Sequence, residues 1–260
     1  MAFHYSPKIV TDGLVLYIDM ANNRSFVTGS TYSNDISKSS TLITYKNKVY
    51  NGGTGDVVTI VSPTYDANNG GSIYLSGGST LTGTGGYLPD NETITNLTDY
   101  LTLSVWFKKI AYDTYLQCFA SKGFNTPIGG SQAYGISLIN NSISFRLTTT
   151  TLGGYTDIAT TFGINVWNNI VATYDGSTMN LYLNGELKAS SPKTGPIMNI
   201  TAPFNIGCQS NAGYFPSNAS VKTSDFFKGY ISNVNLYNRG LSAKEVLKNF
   251  NALKSRYDLY

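Results

Sequence analysis

The stretch Trp167–Ser190, WNNIVATYDGSTMNLYLNGELKAS, decides the fold. Ile170, Ala172 and Tyr174 recur at every second position, so they can face one side of a strand. Asp175-Gly176 then supplies a turn. Leu181 and Leu183 share the next face, with Asn180 and Tyr182 opposite. Asn184-Gly185 is the strongest short-range hairpin signal, because both residues tolerate the positive φ of a type I′ turn. The stretch reads as two β-strands and two turns.

The same period extends outward. Leu14, Leu16 and Ile18 form an early strand, and Ile73 with Leu75 another, closed by Gly77-Gly78. Leu101, Leu103, Val105 and Phe107 alternate with Thr102, Ser104, Trp106 and Lys108, the pattern of a half-buried strand. Tyr115–Ser121 reads as a strand, and Ile136–Ile139 with Ile143–Leu147 as a hairpin about Asn140-Asn141. Phe204–Gly207 is a short strand before a loop over 208–225. In Gly229–Tyr237, Ile231, Val234 and Leu236 break period two once, which predicts a bulge or bend. Residues 22–70 and 82–99 read as irregular or loop-like, and turns account for Gly83–Gly86. One helix is expected, over about 242–256. Ser242 and Glu245 make a capping box, and Ala243, Val246, Leu247, Phe250 and Leu253 share one face.

The expected architecture is all-β: a two-sheet antiparallel jelly-roll sandwich with a short C-terminal helix, in a single domain over residues 1–260 with its core in 11–240. A chain of 260 residues that is 41% hydrophobic can bury such a core. Charged residues are only 13%, while Tyr 20 and Gly 26 are high, as strands joined by polar turns require. A net charge of +3 without a basic run excludes a nucleic-acid surface. The N-terminus lacks the apolar core of a signal peptide. No stretch approaches the roughly 18 apolar residues of a membrane span. Cys118 and Cys208 lie near apolar runs and are expected as buried free thiols. Six N-x-S/T sequons, at Asn23, Asn91, Asn96, Asn140, Asn199 and Asn218, fit chance in a chain this rich in Asn, Ser and Thr.

Hydrolysis on a sandwich needs paired carboxylates about 5–9.5 Å apart. The chain has three glutamates, and none has an acidic neighbour at strand spacing. Glu186 sits beside the Asn-Gly turn, Glu245 belongs to the capping box, and Glu92 lies in a polar segment. Asp175 reads as a turn former. His4 is the single histidine, so a nucleophile–histidine pair has little to draw on. No phosphate-binding glycine loop occurs. Calcium needs only a few loop oxygens, and Asp90, Asn91, Asp99 and Asp225 are the candidates for it; no other cofactor is expected. Tyr134, Tyr155, Tyr214 and Phe215, at expected loop tips or strand ends, are the candidate sugar-contacting rings.

Four segments carry a resemblance to laminin-G-like, concanavalin A-like jelly-roll domains. They are TDGLVLYIDMANNRS, LTLSVWFKK, WNNIVATYDGSTMNLYLNGEL and FFKGYISNVNLYNRGLSAKEVLKNF, in that order over residues 11–250. The opening YSPKIVTDGLVLYIDMAN is similar to the start of such proteins in tailed bacteriophages, including those of marine cyanobacteria. The chain departs from the pattern in residues 31–70, where the usual tryptophan and D-x-S-G-N-x-x-x-G are missing, and it lacks the E-x-D-x-E strand of glucanase relatives.

The resemblance implies a non-enzymatic virion protein, as capsid decoration or a tail or neck appendage. Its expected partners are other virion proteins of the capsid or tail, or copies of itself, and its place is the virion, assembled in the host cytoplasm. The alternative is a module binding a cell-surface glycan. A polysaccharide hydrolase stands third. Neither nucleic acid nor membrane is an expected partner.

Overall fold

Period-two apolar segments punctuated by Asn, Asp and Gly can bury their side chains only by pairing into sheets and stacking the sheets. A computed structural model of the chain describes residues 8–21, 41–43, 57–61, 64–77, 85–88, 95–112, 115–125, 132–139, 141–151, 154–211 and 223–260. The described strands, in chain order, are β1 (Leu14–Asp19), β2 (Thr41–Ile43), β3 (Val57–Val61), β4 (Thr64–Asp66), β5 (Ser72–Ser76), β6 (Gly85–Leu88) and β7 (Leu101–Lys109). They continue with β8 (Gln117–Asn125), β9 (Gln132–Ile139), β10 (Ser142–Thr148), β11 (Tyr155–Thr160), β12 (Trp167–Tyr174), β13 (Thr178–Leu183) and β14 (Glu186–Pro192). The last are β15 (Phe204–Ile206), β16 (Gln209–Asn211), β17 (Thr223–Ser224) and β18 (Lys228–Tyr237). Helix α1 (Ala243–Leu253) and a 3-10 turn (Lys254–Tyr257) close the chain.

Sheet I runs β14-β13-β12-β7-β18-β5-β4, with β1 paired to β18 beside β5. Sheet II runs β11-β10-β9-β8-β15-β6-β3-β2, with β16 and β17 attached at β8. Among the described strands all pairings are antiparallel except β16 with β8, and a lone parallel bridge joins Cys118 to Phe226. Leu103, Val105, Phe107, Ile170, Leu181, Val234 and Leu236 from sheet I meet Phe119, Ile136, Phe145, Leu147, Phe204 and Ile206 from sheet II in one core. The jelly-roll sandwich expected from the sequence is the observed fold.

The opening stretch contributes three strands, not two, because β14 pairs back on β13 beyond the Asn184-Gly185 turn. Asn184 and Gly185 have φ 53° and 83°, as a type I′ turn needs. The segment read as irregular holds β2, β3 and β4, and the segment read as loop-like holds β6. Their strands are three to five residues long, too short for a periodic signal. Gly85 and Gly86 are strand residues rather than turn residues. A Cβ on Gly85 would lie 2.6 Å from the Cys208 Cβ and Sγ, so the packed cysteine demands glycine there. The expected loop over 208–225 likewise holds β16 and β17.

Strand β7 is buried on both faces, not half-buried, and so is β12 beside it. The second cover is α1 and the 3-10 turn, which lie on the outer face of sheet I. Phe250 and Tyr257 stack on Trp106 at centroid distances of 5.6 and 4.1 Å. Val171, Tyr182 and Val246 form a neighbouring cluster. The capping box is present as expected. The buried stripe of α1 differs from the expected face, however. Leu247 is exposed, and Asn249 is buried instead, its Oδ1 accepting from Val10 N and its Nδ2 donating to the Tyr237 hydroxyl.

Candidate functional site

A cross-strand row on the outer face of sheet I sets up the site. Lys108 of β7 pairs with Trp167 of β12 on one side and with Tyr230 of β18 on the other, and Tyr230 pairs in turn with Tyr74 of β5. These positions face outward because their strand neighbours Phe107 and Ile231 fill the core. The break in period at β18 is a bulge that leaves Ser232 unpaired with β7. It keeps both Tyr230 and the helix-covered Asn233 on the outer face.

Two other parts of the chain wall this row into an open cleft of about 590 Å³, lined by Asp66, Asn68, Asn69, Lys108, Trp167, Tyr230 and Asp258. The β4–β5 connection brings Asp66, Asn68 and Asn69. Gly71 ends that connection at φ 123°, where a Cβ would lie 2.7 Å from the Met20 carbonyl. Asn69 adopts a left-handed φ of 53°. Its Oδ1 accepts from Trp167 Nε1 at 3.1 Å, and its Nδ2 donates to the Arg256 carbonyl and to Asp258 Oδ2, both at 3.3 Å. Asn69 is therefore fully engaged in holding the walls together.

The remaining polar groups are available. Asp66 Oδ1 accepts from Asn68 N and Nδ2, which leaves Asp66 Oδ2 and Asn68 Oδ1 as open acceptors among the described residues. Asp258 keeps Oδ1. Lys108 Nζ sits 6.0 Å from the Tyr230 ring centroid. Among the described residues, Asp66, Asp258 and Lys108 make no ion pair. An open cleft of this size with convergent polar groups suits a small polyhydroxylated ligand.

The expected site residues are not gathered here. Tyr134 is 1% exposed in the core of β9, and its hydroxyl donates to the Thr95 carbonyl at 2.8 Å. It is a packing residue with a satisfied polar tip, which corrects its reading as a loop-tip ring. Tyr155 opens β11 on sheet II, 49% exposed, with the Arg146 guanidinium 4.1 Å from its ring and Arg146 paired to Asp157. Tyr214, Phe215, Asp90 and Asn91 lie outside the described residues, as does His4.

Asp99 is exposed at the start of β7, in a hollow with Asn96, Tyr100 and Asn238. Asp225 precedes β18 and offers its carbonyl to Cys118 N. Because β18 runs antiparallel to β7 with Gly229 opposite Lys109, Asp99 and Asp225 sit at opposite ends of a nine-residue strand, roughly 30 Å apart. They cannot share a cation. Among the described residues no three His, Cys, Asp or Glu side chains gather to hold a metal.

Sequence reasoning missed the cleft because its walls are charged or amide residues of short segments. The one visible signal is that Trp106 and Lys108 alternate outward on β7, in the pattern of a half-buried strand. The carboxylates assigned structural roles keep them. Asp175 Oδ1 accepts from Ser177 N and Thr178 N, and Glu186 pairs with Lys188 at the surface.

A model of the concanavalin A-like lectin/glucanases superfamily, laminin-G type, matches residues 81–247. The chain belongs to this superfamily. Its lectin-like sandwich is also that of several solved structures. The binding domain of Paraclostridial mosquitocidal protein 1 is 20% identical over 92% of this chain and 52% of its own, with a TM-score of 0.58. The binding domain of botulinum neurotoxin DC, solved in complex with SialylT, is 16% identical over 93% of this chain and 52% of its own, with a TM-score of 0.61. Domain 4 of AbnA, an extracellular arabinanase from Geobacillus stearothermophilus solved with arabinotriose, is 18% identical over 91% of this chain and 97% of its own, at 0.58. The chain thus spans about half the length of the toxin binding domains and nearly all of the arabinanase domain. No curated protein matches it in sequence. Among the described residues of this lectin-like domain, no helix is long and apolar enough to cross a membrane.

Proposed function

We propose that this lectin-like domain binds a glycan without cleaving it, through the sheet I cleft. The observation that carries the reading is the convergence of open polar groups, Asp66, Asn68, Lys108 and Asp258, around the Trp167–Lys108–Tyr230 row. Carboxylates and amides bind sugar hydroxyls in pairs, the amide donating and the carboxylate accepting. The superfamily assignment and the arabinotriose complex of a similar domain support the same reading.

A glycan array followed by calorimetry on the best ligand tests it. Binding should be lost in Asp66→Ala and Tyr230→Ala, and Trp167 fluorescence should change on saturation. Binding to no glycan, or binding that both variants retain in full, overturns the reading. Incubation with the bound polysaccharide should release no reducing sugar; release that Asp66→Asn abolishes would make the domain a hydrolase instead.

The setting proposed for this binding is a phage virion, where repeated copies turn weak single contacts into firm attachment. Leu187 and Leu247, 54% and 45% exposed near the Asn184-Gly185 turn, offer an apolar patch for a neighbouring subunit. Mass spectrometry of purified virions should find the chain in multiple copies, and its absence from them would remove that setting.

A further inference from the structure

We infer that the sheet I cleft selects by charge, accepting neutral and amino sugars and rejecting sugars that carry an acid group. The inference rests on the glycan reading above and names the ligand class of that site. Two carboxylates, Asp66 and Asp258, and one ammonium, Lys108, line the cleft, so its formal charge is −2 + 1 = −1. Both carboxylates are held in place. Asp66 is fixed by two bonds from Asn68, at 2.9 and 2.6 Å, and Asp258 by one from Asn69. Each uses a single oxygen in this way, and the other has no donor among the described residues. A bound sugar must therefore supply donors, which hydroxyl and ammonium groups do and a carboxylate does not.

Lys108 does not reverse this preference. It lies on the floor row, between Trp167 and Tyr230 and over the Tyr230 ring, while the carboxylates belong to the walls. A carboxylated sugar placed on Lys108 would bring its charge into a space bounded by two fixed carboxylates. Like-charge juxtaposition of this kind sets specificity by excluding the wrong ligand. The hydroxyls of a neutral sugar accept from Lys108 and donate to the wall carboxylates, with no charge left opposed. An amino sugar adds an ion pair with a wall carboxylate.

The test compares matched oligosaccharides of three kinds, neutral, N-deacetylated amino and uronate, by calorimetry at low salt. Neutral and amino sugars should bind at least about tenfold more tightly than the uronate, with the amino sugar no weaker than the neutral one. Raising the salt to about 1 M should narrow the gap, since the Debye length falls to about 3 Å. In Asp66→Asn/Asp258→Asn the gap should close, and in Lys108→Gln it should widen. Uronate binding as tight as neutral binding, a gap indifferent to salt, or a gap unchanged in a folded double variant each overturns the inference and leaves glycan binding standing. Failure of all three sugar classes counts instead against the glycan reading. The salt titration uses the unaltered protein, so it decides the matter even if the double variant does not fold.

Discussion

Arg256 and Asn69 hold each other by reciprocal hydrogen bonds: Arg256 Nε donates to the Asn69 carbonyl at 2.7 Å, and Asn69 Nδ2 donates to the Arg256 carbonyl at 3.3 Å. The same guanidinium reaches Asp19 Oδ1 at 2.7 Å, the Gly71 carbonyl at 2.8 Å and Ser232 Oγ at 2.6 Å. One side chain thus ties the C-terminal turn to β1, to the β4–β5 connection and to the bulge of β18. It fixes two cleft walls that are 187 residues apart in sequence.

Arg256→Met should therefore cost about 3–5 kcal/mol in stability, because it leaves the largely buried Asp19 carboxylate without its partner. Denaturant unfolding measures the loss. Asp19→Asn/Arg256→Met should recover part of it, since no buried charge is then left alone. Recovery of none would mean that Arg256 acts through its contacts to Asn69, Gly71 and Ser232 and not through its charge.

Glu245 gives the domain an acid-sensitive element. Hydrogen bonds from the Arg239 guanidinium, aided by those from Ser242, hold its pKa at about 2, against an ordinary 4.5. The folded value lies below the unfolded one, so the stabilisation is full above about pH 4.5 and disappears as pH falls toward 2. Melting temperatures of the wild type and Glu245→Gln should differ at pH 7 and converge by about pH 2. A difference that persists at that pH would contradict the ionic origin.

The two thiols should be inert while the domain is folded. Burial pushes the Cys118 thiol up to about 12 and raises that of Cys208 as well. Both are free and buried. A thiol reagent at pH 8 should label neither in the native protein and both after denaturation. Rapid native labelling would show that the strands around β8 open readily.

Gly85→Ala should destabilise the fold by about 1–3 kcal/mol, as overpacking does. The new methyl would meet Cys208 Cβ and Sγ at 2.6 Å. The double variant Gly85→Ala/Cys208→Gly should recover stability relative to Gly85→Ala, measured by thermal unfolding.

Tyr134→Phe should cost about 1 kcal/mol, the net value of one buried hydrogen bond to the Thr95 carbonyl. Glycan binding should be unchanged, because the ring lies in the core and not at the cleft. A loss of binding without a loss of stability would return Tyr134 to the list of ligand contacts.

Most of the sandwich was legible in the chain. The strands over 14–19, 101–109 and 167–183 announce themselves by period two. The turn at Asn184-Gly185, the bulge in β18 and the Ser242–Glu245 capping box are equally local devices. Short strands such as β4 and β6 carry too few residues for a period to form, so their local pattern is that of a loop. The candidate site was less legible. Its floor alternates correctly on β7, but its walls are Asp66, Asn68, Asn69 and Asp258, polar residues whose local pattern is that of any turn.

By itself, the sequence determined those features whose energy lies between near neighbours: strand period, hairpin turns, the helix start with Glu245 in its capping box, and the turn-forming role of Asp175. Tertiary structure alone decided which outward faces meet water. Trp106 and Lys108 stand two residues apart on the same face of β7, yet α1 and the 3-10 turn cover the first, and the second floors an open cleft. The physical reason is that burial belongs to the packed partner and not to the residue. Here those partners lie far along the chain: 98 residues separate Trp167 from Asn69. No window of local sequence contains both.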